Sequence, residues 1–399
     1  MKILFCHNFY QQAGGEDIAV ANEMAMLKQH GHEVELFSVS NNVIKTFWHK
    51  LLVSFHLTYS NKYKTKLKNV IADFNPDIVH VHNFFPLLTP SIFDACVEMN
   101  VPAVHTLHNY RLICPSATLF VNGSCNEESI EKTAYAMVKY KAYQNSFIGT
   151  FLLARAIEKY KKNQLWSKKV DQFIAPSQSV KNTYIKAGFL SEKITVKPNF
   201  IQSKTIFPIP QQQEREQDQT TNDEYAIFLG RLVEEKGIRM LLNSWRETDP
   251  ELRIYGKGPL EQLCKDAQRS NIRYYGEVIR EEALQALKKA NFLVMPTQWY
   301  EPFGLVVIEA LSLGIPVIAS RVGALPEIIT HDYNGFTFEH NNINDFYQQV
   351  DQFKSNSKLI EMKKNALNSF NKQYTASMNY PLLIEIYNKC LLRRNNLGN

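Results

Sequence analysis

The feature that most constrains the fold of this 399-residue chain is an alternation that runs through it twice. Short β-branched or apolar runs are followed by longer stretches with helical apolar spacing. Lys2–Phe5, Val34–Val39, Asp77–His82, Ala103–Leu107, Gln172–Ala175 and Ile194–Val196 read as strands. Gly14-Gly15-Glu16 opens a helix with Ile18, Val20, Ala21, Met24 and Leu27 on one face, ended by Gly31, and Ser91–Met99 reads as another. A polar tract then interrupts the pattern: Pro208-Ile209-Pro210 followed by the Gln-rich Gln211–Gln219, without periodicity. The alternation restarts with strands at Tyr225–Leu229, Leu252–Tyr255, Ile272–Tyr275, Phe292–Met295 and Pro316–Ala319. Helices read at Gly237–Trp245, Pro259–Gln268, Glu281–Ala290 and Leu305–Leu313, and the tail from Ile343 is helical again. Strands separated by helices pair in parallel through right-handed crossovers. The expectation is an α/β chain of two doubly wound, Rossmann-like domains facing a central cleft. The expected boundaries are 1–203, a linker at 204–224, 225–373, and a terminal helix at 374–399 that crosses back to the first domain. In such sheets ligands bind at the carboxyl ends of strands.

Charge is unevenly placed. The chain carries a net +6, from 45 Lys+Arg against 39 Asp+Glu. Residues 41–72 hold six Lys and no acid, and residues 132–169 hold nine basic residues against Glu158 alone, so the remainder is acidic. Within the first segment Ile44, Phe47, Trp48, Leu51, Leu52 and Phe55 recur at three- and four-residue spacing among Lys45, His49 and Lys50. This predicts an amphipathic helix of the kind that lies on an anionic bilayer. The second segment mixes its cations with Tyr135, Tyr140, Tyr143, Phe147, Phe151, Tyr160 and Trp166. The plain alternative is that both are surface helices with Lys as a solvated face. No nucleic-acid module accompanies the charge, so no nucleic-acid partner is expected. Six Cys in such a length do not make a disulfide scaffold and read as thiols. No stretch has the apolar length of a membrane span, and Met1–Cys6 is too short for a signal-peptide core, so a cytoplasmic protein is expected.

Two stretches carry chemistry. Pro296-Thr297-Gln298-Trp299-Tyr300-Glu301-Pro302-Phe303-Gly304-Leu305 runs from a strand into a helix that contains Glu309. Amides free at a helix start suit phosphate or sugar hydroxyls. A carboxylate accepts from two vicinal hydroxyls at once, so Glu301 and Glu309 can grip two polyols. The alternative is that both only cap or solvate the helix. Gly230-Arg231-Leu232-Val233-Glu234-Glu235-Lys236-Gly237 sets a guanidinium and an ammonium at a strand-to-helix turn, as a diphosphate needs. Against this, Arg231 and Lys236 could simply pair with Glu234 and Glu235. His80, His82, His105 and His108 fall close together, but no acidic or Cys ligand set accompanies them, so a metal centre is not expected. Cys114 and Cys125 are followed by Asn126-Glu127-Glu128, which leaves a zinc site incomplete. Gly256-Lys257-Gly258 lacks the third glycine of a dinucleotide fingerprint.

Glu301 and Glu309 eight positions apart, with Gly230-Arg231 and Lys236-Gly237 upstream, resemble the retaining glycosyltransferases of family 4, which have the GT-B fold. Further matches cover nearly the whole chain. They include Gly14-Gly15-Glu16, Pro76–Asn83, Thr106–Arg111, Pro198-Asn199, Gly256–Pro259, Gly276-Glu277-Val278, Gly314–Ile318 and Gly335-Phe336. The resemblance implies a metal-free transferase that takes a sugar from a nucleotide sugar, a UDP-sugar being expected, with no cofactor. Arg231 and Lys236 would neutralise the donor diphosphate, which Gly14 and Gly15 would let the backbone approach. Glu309 would bind the ribose diol, and Val278 would lie against the base. Glu301, with the amides of Phe303, Gly304 and Leu305, would hold donor-sugar hydroxyls. His108 would be the catalytic histidine under the donor sugar. Asn109 stands where many members have Asp, so no proton transfer is assigned to it. The implied acceptor is a glycan or polyprenyl-diphosphate-linked glycan in bacterial surface polysaccharide (capsule or O-antigen) synthesis, reached peripherally at the inner membrane face through 41–72 and 132–169. The alternatives are a GT-B UDP-sugar epimerase or hydrolase, or a non-catalytic GT-B scaffold subunit.

Overall fold

The computed structural model describes residues 1–11, 14–43, 58–202, 225–355 and 359–397. The expected amphipathic helix at 44–55 and the linker at 204–224 lie outside these residues. The chain divides into two compact units. One is Met1–Asn122, Asn126–Asn199 and Ser377–Asn399; the other is Phe200–Ala376 with Gly123–Cys125.

Among the described residues, the first unit is built on strands β1 (Lys2–Phe9), β2 (Glu33–Ser40), β3 (Ile78–Val81), β4 (Ala103–Thr106), β7 (Gln172–Ala175) and β8 (Ile194–Val196). The short strands β5 (Phe120–Val121) and β6 (Ser124–Cys125) are not part of that set. The large sheet has the order β2-β1-β3-β4-β7-β8, with all its pairs parallel. Ile3, Leu4, Phe5 and Cys6 are all fully buried, as expected of a parallel strand covered on both faces. β1 runs four residues past the expected Phe5. Its continuation carries two buried polar residues, His7 and Asn8, whose side chains find partners. His7 Nε2 bonds Asp17 Oδ1 at 2.7 Å, and Asn8 Nδ2 donates to Asn41 Oδ1 at 2.9 Å.

The second unit contains β9 (Tyr225–Leu229), β10 (Glu251–Tyr255), β11 (Ile272–Gly276), β12 (Phe292–Met295), β13 (Val317–Ser320) and β14 (Gly335–Phe338), in the order β11-β10-β9-β12-β13-β14. Successive side chains divide between two cores. Ile227, Leu293 and Val317 face one, and Ala226, Phe228, Val294 and Ile318 the other. Each fully buried aliphatic or Phe side chain contributes roughly 1.5–3 kcal/mol. β14 is an edge strand that alternation did not predict. It is four residues long and follows the Thr330–Asn334 turn directly.

The last helix, Ala376–Leu397, tolerates Pro381 and belongs to the first unit from Ser377 on. It buries Leu383, Ile386, Tyr387 and Cys390. No helix among the described residues is long and apolar enough to cross a membrane.

Candidate active site

In the second unit, reading strands in chain order, the sheet runs 3-2-1-4-5-6. That order reverses between β9 and β12, the place where open α/β sheets hold ligands. The loops that leave these two strands are laced together. Gln298 N and Thr297 Oγ1 donate to Glu235 O at 2.8 and 2.9 Å. Gly237 makes the approach possible: it sits at φ +75°, and a Cβ there would lie 1.8 Å from the Pro296 carbonyl oxygen.

The lacing joins Lys236 to Glu301. Lys236 Nζ lies 2.6 Å from Glu301 Oε2, and the Trp299 indole Nε1 donates to the same oxygen at 3.0 Å. The alternative in which Arg231 and Lys236 pair with Glu234 and Glu235 is therefore met only in part. Glu234 is taken by Arg239, and Arg231 leans toward Glu235 at 3.7 Å with its side chain 57% exposed. Lys236 turns inward. Gly304, at φ +93°, caps the helix Leu305–Ser312. The first amides of a helix have no partner within it. Phe303 is buried against Tyr374, and Leu305 and Val278 are half-buried on the same core. Glu309, in the second turn, is ion-paired with Arg280, the first residue of the helix Arg280–Lys289. Burial pushes the Glu309 carboxyl up, and Arg280 pulls it part of the way back.

In the first unit the order reverses between β1 and β3. Helix Gly15–Gln29 follows β1, and the Gly14 N–H donates to Asp17 Oδ2 at 2.9 Å. Burial and the neighbouring Asp17 push the Glu16 carboxyl well up. Two turns further, Glu23 sits on the buried face of the helix with Ala19, Val20, Met26 and Leu27. It is ion-paired to the buried Lys197 at 2.8 Å, and Lys197 also donates to Asn379 Oδ1 at 3.0 Å. Burial alone would raise the Glu23 carboxyl, but Lys197 and His82 outweigh it and hold it well below the usual range.

His80 on β3 and His82 just after it both point toward Glu23 Oε2, at 3.6 and 3.5 Å. His80 spends both ring nitrogens, one 2.7 Å from the Tyr387 hydroxyl and one 2.8 Å from Thr106 Oγ1. His82 Nδ1 is 2.9 Å from His108 Nε2. His105 binds the Val81 carbonyl through Nδ1 at 2.8 Å. Burial depresses all four histidines, His105 to about 4. Glu23, His80 and His82 can bring three ligand-type atoms within 4.8 Å of one another. Lys197 already holds the other oxygen of that carboxylate, and an ammonium beside a metal ion is electrostatically unfavourable.

Sequence reasoning named Lys236 and Glu301, which meet, and Glu309, which shares the helix that Phe303, Gly304 and Leu305 lead into. Arg231 and Val278 stand on neighbouring loops of the same unit. His108, Gly14 and Gly15 are in the first unit. It missed Arg280, the Trp299 contact, and the Glu23–Lys197 pair. Glu23 alone left a signal, an acidic residue on the apolar stripe of a helix.

Residues 13–204 match the model of Glycosyltransferase Family 4, and residues 210–369 that of Glycosyl transferases group 1. A protein from the cps region of Klebsiella pneumoniae is 25% identical over 365 residues, 82% of this chain and 87% of that protein. An uncharacterised glycosyltransferase of Methanocaldococcus jannaschii is 24% identical over 94% of both chains. Among solved structures, Anabaena HepE in complex with UDP superposes with a TM-score of 0.66 at 18% identity, over 97% of this chain and 99% of that one. Sucrose-phosphate synthase of Thermosynechococcus elongatus gives 0.71 at 16%, over 98% and 99%. Two parallel six-stranded sheets, two consecutive domain matches and these relatives lead to one assignment: the chain belongs to the family 4 glycosyltransferases and has the GT-B fold.

Proposed function

We propose that the protein is a retaining, metal-independent glycosyltransferase that moves a sugar from a UDP-sugar to a glycan or polyprenyl-diphosphate-linked acceptor in bacterial surface polysaccharide synthesis. The observation that carries the proposal is the Lys236–Glu301 pair at the switch point of the second sheet, on the loop that enters the helix bearing Glu309. Lys236 and the exposed Arg231 supply positive charge for a departing diphosphate without a divalent ion. The free Glu301 oxygen and the amides of Phe303, Gly304 and Leu305 hold hydroxyls of the donor sugar. Glu309 binds the ribose diol, and Val278 lies against the base. Gly14 and Gly15 let the helix start that follows β1 approach the phosphates, and His108 meets the sugar from the acceptor side. Attack on the face the diphosphate leaves retains the anomeric configuration. UDP in the HepE complexes and the cps-region relatives in Klebsiella support the donor and the pathway class.

The acceptor is reached at the inner face of the membrane. Supporting this, helix Phe147–Lys162 begins with Phe147, Ile148 and Phe151 exposed and ends in Lys159, Lys161 and Lys162. The rest of the segment is more ordinary surface. Tyr160 and Trp166 are buried, and Lys132 and Lys139 pair with Glu128.

The test is a panel of UDP-sugars with lipid-linked and free glycan acceptors, run with and without EDTA. Acceptor-dependent UDP release that survives EDTA, with an α-linked product from an α-linked donor, is expected. UDP release or epimer formation that needs no acceptor would instead indicate an epimerase or hydrolase.

A further inference from the structure

The transfer reading uses His108 but gives no work to the groups behind it. His82 Nδ1 and His108 Nε2 are 2.9 Å apart, and burial disfavours the charged form of both rings. Between two neutral imidazoles one nitrogen must donate and the other accept. The opposite nitrogen of His82 decides which. Its Nε2 faces Glu23 Oε2 across 3.5 Å, and neither atom has a hydrogen-bond partner elsewhere. The carboxylate is ionised by Lys197 on its other oxygen. An ionised carboxylate only accepts, and a bare imidazole nitrogen turned toward it in a dry site would set two lone pairs against each other.

His82 therefore carries its hydrogen on Nε2 and accepts at Nδ1. His108 must then donate from Nε2, which leaves Nδ1 as its acceptor. The surroundings do not compete for these atoms. His80 is saturated by Tyr387 and Thr106, His105 is committed to Val81, and His7 is committed to Asp17 through Nε2. The remaining cation facing the cluster, Lys197, is committed to Glu23 and Asn379.

We infer that Glu23 and His82 are positioning residues that fix His108 as its Nε2–H tautomer, so that Nδ1 offers a lone pair to a hydroxyl of the reacting sugars. The inference rests on the proposed role of His108 in transfer. It says that this ring acts as a hydrogen-bond acceptor, set from the interior of the first unit by a carboxylate through the one intervening ring of His82.

Long-range 15N–1H correlation of histidine-labelled protein reads both tautomers directly, with His82→Phe and His108→Ala used for assignment. The wild-type spectrum at pH 7 should show Nε2–H for His82 and His108. Glu23→Gln should invert both. Lys197 needs an oxygen, so the amide group of Gln turns its NH2 toward His82, whose Nε2 must then accept. The same variant should lower kcat about ten- to hundredfold while donor KM stays within about twofold. A wild-type His108 carrying its hydrogen on Nδ1 overturns the inference without any variant having to fold, and so does an unchanged tautomer in a folded Glu23→Gln protein. Full turnover by His108→Ala would instead sink the transfer role of His108, whatever the tautomers are.

Discussion

Glu301 Oε2 accepts two hydrogen bonds, from Lys236 Nζ at 2.6 Å and from Trp299 Nε1 at 3.0 Å, in a pair whose side chains are 15% and 8% exposed. The cation proposed for the diphosphate is thus paired with the carboxylate proposed for the sugar. Removing one partner leaves the other buried and uncompensated. Lys236→Ala should lower kcat by about a hundredfold or more and destabilise the fold by roughly 3 kcal/mol. Trp299→Phe, which keeps the ion pair, should cost only about 1 kcal/mol. Denaturant unfolding and steady-state assays check both. Equal loss in the two variants would mean that the ion pair has no special weight.

Arg280 plays the corresponding part for Glu309. The Glu309 carboxyl is already raised by burial, and Arg280 is what restrains it. Arg280→Ala should therefore raise it further, so that the carboxylate protonates at a higher pH and stops accepting from a diol sooner. UDP binding followed by calorimetry from pH 5 to 8 should show its acidic limb displaced upward in Arg280→Ala, with little change at pH 8. An unshifted limb would remove Glu309 from the binding site.

Apart from the edge strand Gly335–Phe338, the strand positions of both six-stranded sheets are legible because parallel strands covered on both faces read as short apolar runs, as at Phe292–Met295. The limits of that signal are equally physical. The far end of β1 is not legible because His7 and Asn8 look like the end of a strand until Asp17 takes His7 Nε2 and Asn41 and Asn83 bond Asn8. The Lys236–Glu301 contact could be approached from sequence because each residue sits in a punctuated loop after a strand. Glu23, Lys197 and Asn379 could not. The partners of Lys197 lie 174 and 182 positions away, and no local pattern encodes a pair closed by tertiary packing.

The buried histidines make the first unit acid-sensitive, and the sign follows from His105. Burial lowers its folded value from about 6.5 to about 4. Below 6.5 the unfolded chain binds a proton that the folded chain refuses, so stability falls as the pH drops from about 6.5, and the loss is complete below about 4. This one group accounts for roughly 3 kcal/mol, and His80, His82 and His108 act in the same direction. Urea unfolding at pH 7, 5.5 and 4.5 should show the decline. His105→Asn, whose amide can still donate to Val81 O, should make it shallower, and a variant with the wild-type slope would rule out titration of His105 as the cause.

The start of helix Phe147–Lys162 separates membrane docking from ordinary surface packing. Ile148 is 71% exposed and Phe147 57%, so their apolar area is poorly covered by the protein itself. Changing both to Ser should leave the melting temperature within about a degree, since substitutions at exposed positions fall within roughly 0.5 kcal/mol. If these side chains enter a bilayer interface, the same change should weaken co-sedimentation with phosphatidylglycerol vesicles severalfold, because their burial in lipid is lost. Raising the salt should weaken the wild type through its Lys side chains, by screening. Retention on vesicles that is indifferent to both the double variant and salt would place this helix outside any membrane contact.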